Sequence, residues 1–162
     1  MVEINHILAT AIEFERFGKE YYMRFHDLVG DTKAKALMKG LAHDEEEHAE
    51  ILTKELEARG GTVGQTSAEV LDEGMERIFS HKTLKDSIET KDAISAIKLG
   101  IETEQRSIDF YSGHAQDSGG ELKEIFTKLE KMERTHLELL RENLLHLQDG
   151  GDWYGYVPIL EG

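Results

Sequence analysis

Cysteine does not occur anywhere in the 162 residues. Its absence excludes disulfides, thiolate zinc sites, iron–sulfur clusters and a cysteine nucleophile within this chain, and it leaves the redox compartment undecided. Proline occurs once, at Pro158. No segment sustains an alternation of apolar and polar residues, so long helices are free to form and strands are not favoured. Basic residues are few beside acidic ones: 19 Lys and Arg against 33 Asp and Glu leave a net charge of -14. Such a surface repels phosphate, which argues against nucleic acid or an anionic membrane as a main partner. No stretch approaches the roughly 20 apolar residues that span a bilayer. The opening MVEINHILATAIEFERFG has neither a basic start nor an unbroken apolar core. It does not read as a signal peptide, and the expected location is the cytoplasm.

What is present is helical periodicity. Hydrophobic residues at 39% and charged ones at 32% give the balance of a folded helical domain and not of a disordered chain. Ile4, Leu8, Ala11, Glu15, Gly18, Tyr22 and Phe25 follow one another at steps of four and three, a single stripe on one helix face. A second stripe carries Leu37, Leu41, Glu45, His48, Leu52 and Leu56, ending at Gly60 and Gly61. A third carries Ala93, Ile97, Gly100, Glu104, Ser107 and Tyr111, and a fourth Phe126, Leu129, Glu133, His136, Leu140 and Leu144. Each is apolar except at its centre.

The turns LVGDT (28–32) and AQDSGGE (115–121) are short, so each neighbouring pair of helices forms an antiparallel hairpin. Residues 60–90 make a long crossover, opened by GGTVGQTS and carrying a short helix over AEVLDEGMERIF (68–79). The expected fold is all-α: an antiparallel four-helix bundle of two hairpins joined by one long crossover. Its helices lie at about 3–28, 32–59, 91–116 and 120–148 within a domain 1–149, followed by an aromatic tail 150–162.

The halves also resemble each other. AIEFERFGKEYY (11–22) aligns with GIETEQRSIDFY (100–111) at an offset of 89, and LAHDEEEH (41–48) with LEKMERTH (129–136) at 88. Stripe and repeat together select Glu15, Glu45, His48, Glu104, Glu133 and His136. Each Glu-x-x-His pair shares a helix face, because positions i and i+3 are neighbours. Four carboxylates in a dry core would repel one another and take up protons or unfold the protein unless countered. Two divalent cations at +4 balance four carboxylates at -4, with neutral imidazoles adding no charge. Oxygen and nitrogen donors without sulfur suit iron or manganese, with zinc a less natural substitute. Bridging carboxylates would hold the ions roughly 3.5–4 Å apart.

One Glu from each of two helices plus Glu-x-x-His from each of the others is the pattern of ferritin-like carboxylate proteins. Over about residues 3–148 the four quoted motifs most resemble the rubrerythrin branch of that superfamily. The resemblance implies the six residues as ligands of two iron ions. It also implies a non-haem oxidoreductase that reduces hydrogen peroxide or dioxygen, and its expected assembly is a homodimer. Full-length rubrerythrins add a rubredoxin domain with cysteine-bound iron; this chain has no cysteine, so its electrons are expected from an external donor such as a rubredoxin-like protein. Rubrerythrins also tend to carry a further glutamate one turn after the third-helix ligand. Ser107 stands there, which implies a plainer symmetric centre than one whose metal shifts between ligand sets. The rival readings are a ferritin-like ferroxidase that stores iron, a metal-binding protein without turnover, and a manganese catalase.

Tyr22 and Tyr111 repeat two turns after Glu15 and Glu104, and a buried tyrosine needs a hydrogen-bond partner. Orienting a metal-bound carboxylate on a neighbouring helix would supply one; plain core packing is the other reading of the pair. Glu13 and Glu102 also repeat, but they lie about 200° from the ligand face and are expected in solvent. His43 falls off the stripe and is expected to be solvated. The tail GDWYGYVPILEG is apolar enough to need cover, from its own bundle, from a second subunit or from a partner that it hooks.

Overall fold

The structure, a computed structural model, describes residues 2–63, 90–150 and 152–156. The expected short helix at 68–79 and most of the crossover lie outside the described residues. Within them the chain forms α1 (Val2–Leu28), α2 (Thr32–Ala58), α3 (Thr90–Asp117) and α4 (Gly120–Gly150), with no strand. The fold is the all-α bundle that the periodicity predicts. None of the described helices is long and apolar enough to cross a membrane.

Local chemistry sets the ends of α2. Asp31 is its N-cap: the side chain accepts from the Ala34 N–H at 3.0 Å, satisfying a donor that has no partner within the helix. At the other end Gly60 takes a left-handed φ of 79°. Gly61 N–H then donates to the Leu56 carbonyl and Gly60 N–H to Glu57, both at 3.0 Å, the paired bonds that close a helix on glycine. α4 runs past the expected end at 148, through Asp149 to Gly150, so the tail begins after it. A glycine there costs little, because the last turn frays and makes few further backbone bonds.

The core falls into two apolar groups. One gathers Leu8, Ile12, Leu52, Leu56, Tyr111, Phe126 and Leu129; the other gathers Tyr21, Tyr22, Phe25, Leu37, Met38, Leu41, Ile97, Leu140 and Trp153. Each large apolar side chain withdrawn from water contributes about 1.5–3 kcal/mol. Those two groups flank a polar layer whose charges would cost several kcal/mol per ion if left unpaired. The stripe on α4 departs from expectation at one position. Leu144 is only half-buried, and the buried face passes through Asn143 and Leu147. Strict alternation from His136 and Leu140 gives positions 143 and 147, which keeps the stripe aligned with its neighbours.

Candidate metal centre

The polar layer consists of the centres of the four stripes. α1 presents Glu15, α2 Glu45 and His48, α3 Glu104, and α4 Glu133 and His136, all buried; Glu45, the most accessible, is 4% exposed. Contacts within the layer run both inside each hairpin and across from one to the other. His48 Nδ1 lies 3.0 Å from Glu133 Oε1 and 3.3 Å from Glu15 Oε2. His136 Nδ1 lies 3.1 Å from Glu45 Oε1, 3.3 Å from Glu133 Oε2 and 3.5 Å from Glu104 Oε1. The imidazole planes are 20° from parallel with centroids 5.7 Å apart.

The donor atoms form two overlapping groups, Glu15–Glu45–His48–Glu133 and Glu45–Glu104–Glu133–His136, with the atoms of each within 4.8 Å of one another. Glu45 and Glu133 belong to both. Tyr22 on α1 donates to Glu104 on α3, and Tyr111 on α3 donates to Glu15 on α1. Glu13, Glu102 and His43 are exposed, His43 sitting 3.7 Å from Glu47 Oε1.

Without a metal the layer balances its charge with protons. Burial, reinforced by the neighbouring carboxylates, holds Glu45 and Glu133 well above the usual carboxylate range. Burial alone would also raise Glu15, but hydrogen bonds with Glu45, His48 and Tyr111 outweigh it and bring that group to about 2. Glu104 is likewise lowered: hydrogen bonding to Glu133 and the His136 charge overcome its burial. Burial opposes charging the imidazoles. Hydrogen bonds to Glu133 and Glu15 nevertheless lift His48 to about 10, and Glu104 with Asp44 lifts His136 well above its ordinary value. Neutral Glu45 and Glu133, ionised Glu15 and Glu104, and two imidazolium ions therefore sum to zero. Divalent cations can replace those protons charge for charge.

Three further observations fit a cation. Among the described residues Glu15 Oε2, Glu104 Oε2 and Glu133 Oε2 are buried without a hydrogen bond of good geometry, a costly condition that a coordinated ion relieves. The donors are carboxylate oxygen and imidazole nitrogen, the set suited to iron or manganese. A cleft of about 380 Å³ between α1 and α2, lined in part by Arg16, Lys19, Glu46 and Glu50, reaches Glu15 and Glu45. Gly18 on α1 packs close to one of these side chains: an added Cβ would lie 3.5 Å from the Glu45 carboxylate.

Two residues at the centre escape a reading of the stripes. Asp44 is buried, with Oδ2 3.0 Å from His136 Nε2, and Tyr156 from the tail donates to the same oxygen at 3.0 Å. Asp44 lies on the line Leu37, Leu41, Asp44, His48, spaced four, three and four. That spacing was the signal, masked by the run of acidic residues around it.

Residues 6–144 match the family model described as Rubrerythrin. The chain belongs to the rubrerythrin family. A solved structure of a hypothetical protein from Pyrococcus furiosus is similar, with a TM-score of 0.68 over 92% of each chain at 19% identity; that likeness speaks for the fold alone. No curated protein matches. In this rubrerythrin-family chain the matched span contains all six residues of the polar layer. The family and the buried carboxylate–histidine clusters together support a metal site at this layer.

Proposed function

We propose that this rubrerythrin-family chain holds two iron ions between its hairpins and reduces hydrogen peroxide or dioxygen, peroxide being the preferred oxidant. The observation that carries the reading is the sharing of Glu45 and Glu133 between two donor groups. Shared carboxylates are what a pair of adjacent ions requires as bridges. Glu15 with His48 would complete one ion and Glu104 with His136 the other. Bound ferrous iron would supply the two electrons that, with two protons, convert hydrogen peroxide to two waters.

The chain's own residues set the conditions. Burial of the polar layer excludes bulk water and strengthens every charge interaction within it. Tyr22 and Tyr111 hold Glu104 and Glu15 in place from outside the donor groups. The cleft that reaches Glu15 and Glu45 would give a small oxidant an approach to the layer. With no cysteine in the chain, repeated turnover would draw electrons from a separate protein such as a rubredoxin-like donor. The preference for peroxide rests on the family likeness.

The test is anaerobic loading with ferrous iron, followed by timed oxidation with hydrogen peroxide and with dioxygen separately. The expected result is two iron ions per chain and much faster oxidation by peroxide. Fast oxidation by dioxygen followed by further iron uptake would move the reading to a ferroxidase that stores iron. A chain that binds no iron would overturn the site assignment.

A further inference from the structure

The tail segment 152–156 lies beyond the residues that match the family, yet its seat on the bundle is elaborately built. Asn143, wholly buried on α4, donates from Nδ2 to the Leu139 and Gly155 carbonyls, each at 2.9 Å. Its Oδ1 accepts from the Gly155 N–H at 2.8 Å. One carboxamide thus clamps both polar groups of Gly155, whose φ of 99° no larger residue adopts readily. Trp153 packs edge-on against Phe25 at 6.0 Å. Gly40 on α2 leaves the space for Tyr156: a Cβ there would lie 2.5 Å from the tyrosine ring.

All of this delivers one hydroxyl to one carboxylate. Tyr156 donates to Asp44 Oδ2, and that oxygen also meets His136 Nε2, each at 3.0 Å. The other nitrogen of His136 faces Glu45, Glu104 and Glu133. Among the described residues the other half of the centre has no such support. There His48 Nε2 is buried without a hydrogen-bond partner, and the repeat offset of 88 places Met132 where Asp44 would be.

We infer that residues 153–156 are a strap that positions His136 through Asp44, so that the two halves of the metal centre are unequal and the ion served by His136 is held more tightly. This rests on the two-metal reading given above. A carboxylate on the far nitrogen of a ligating imidazole fixes its tautomer and orientation and raises its basicity. Tyr156 fixes the carboxylate in turn. Asp44 and Tyr156 are positioning residues, since neither belongs to the donor groups that would meet both ions.

Stepwise titration of the metal-free chain with cobalt(II), followed by calorimetry and by the visible absorption of the bound ion, tests the inference. The native chain is expected to bind two ions with distinct affinities. Asp44→Asn is expected to weaken the tighter step by about 10–100-fold and leave the weaker one in place. Tyr156→Phe, which keeps the ring, and Gly40→Ala, which displaces it without touching Asp44, are expected to weaken the same step by less. Met132→Asp is expected to strengthen the weaker step and narrow the difference. Equal affinities in the native chain, or variants at Asp44 and Tyr156 that leave both steps unchanged or weaken both alike, overturn the strap while leaving the two-metal reading intact. A native chain that binds fewer than two ions overturns that reading, and the inference with it.

Discussion

Glu45 and Glu133 are the two carboxylates common to both donor groups, one from each hairpin, so either one removed opens both groups at once. Replacing Glu133 with Ala is therefore expected to abolish binding of at least one ion, and Glu45→Ala to do the same. Iron or cobalt stoichiometry after anaerobic loading checks this, and two ions retained in both variants would refute the assignment. The six ligand candidates are legible in the sequence because each interrupts an apolar stripe, and because the interruption occurs in both halves at nearly one offset. Asp44 shares the spacing of its stripe but sits in a run of acidic residues that reads as a wet face. Tyr156 was beyond reach of periodicity altogether. Its partner lies 112 residues away in sequence, and a segment without regular structure has no period from which to read a contact.

At the scale of elements, the helices follow from stripe, cap and glycine, whereas the tail depends on a single polar side chain from α4. Removing the carboxamide in Asn143→Ala leaves the buried N–H and carbonyl of Gly155 without their partner. The expected cost is about 1–3 kcal/mol, with release of Trp153 from Phe25. Trp153 is the chain's one tryptophan, so its emission reports on the tail directly: a shift toward the red with α-helical circular dichroism unchanged is the expected outcome. Unshifted emission would mean that packing around Trp153 holds the tail without the clamp. Asn143 was legible in principle, since the alternation of three and four from His136 arrives at it. A polar residue at that position is passed over for the adjacent Leu144 when apolarity is the only criterion. Apolar spacing identifies what a helix buries by hydrophobicity, and it misses groups buried to hold a neighbouring backbone.

For the whole molecule, the hairpins meet around a layer whose charge protons balance and divalent cations could balance in their place, and pH separates the two. In the metal-free chain Glu15 is lowered to about 2. Its contribution is present above the ordinary value of 4.5 and is lost as pH falls through about 2. His48 is raised to about 10, so its contribution is complete below the ordinary 6.5 and is lost as pH rises through about 10. Glu45 and Glu133, also raised, favour the folded state most when protonated, and that contribution declines as pH climbs above the usual carboxylate range. Metal-free protein is therefore expected to be most stable in mild acid and to weaken steadily toward alkaline pH. Bound divalent ions take the place of the same protons and bind more strongly as competition from protons fades. The expectation is that the difference in Tm between loaded and metal-free protein widens between about pH 5 and pH 9, and that loading releases protons measurable from the dependence of the calorimetric heat on buffer ionisation. A difference in Tm that stays constant across that range, with no proton release, would show that the layer does not exchange protons for metal.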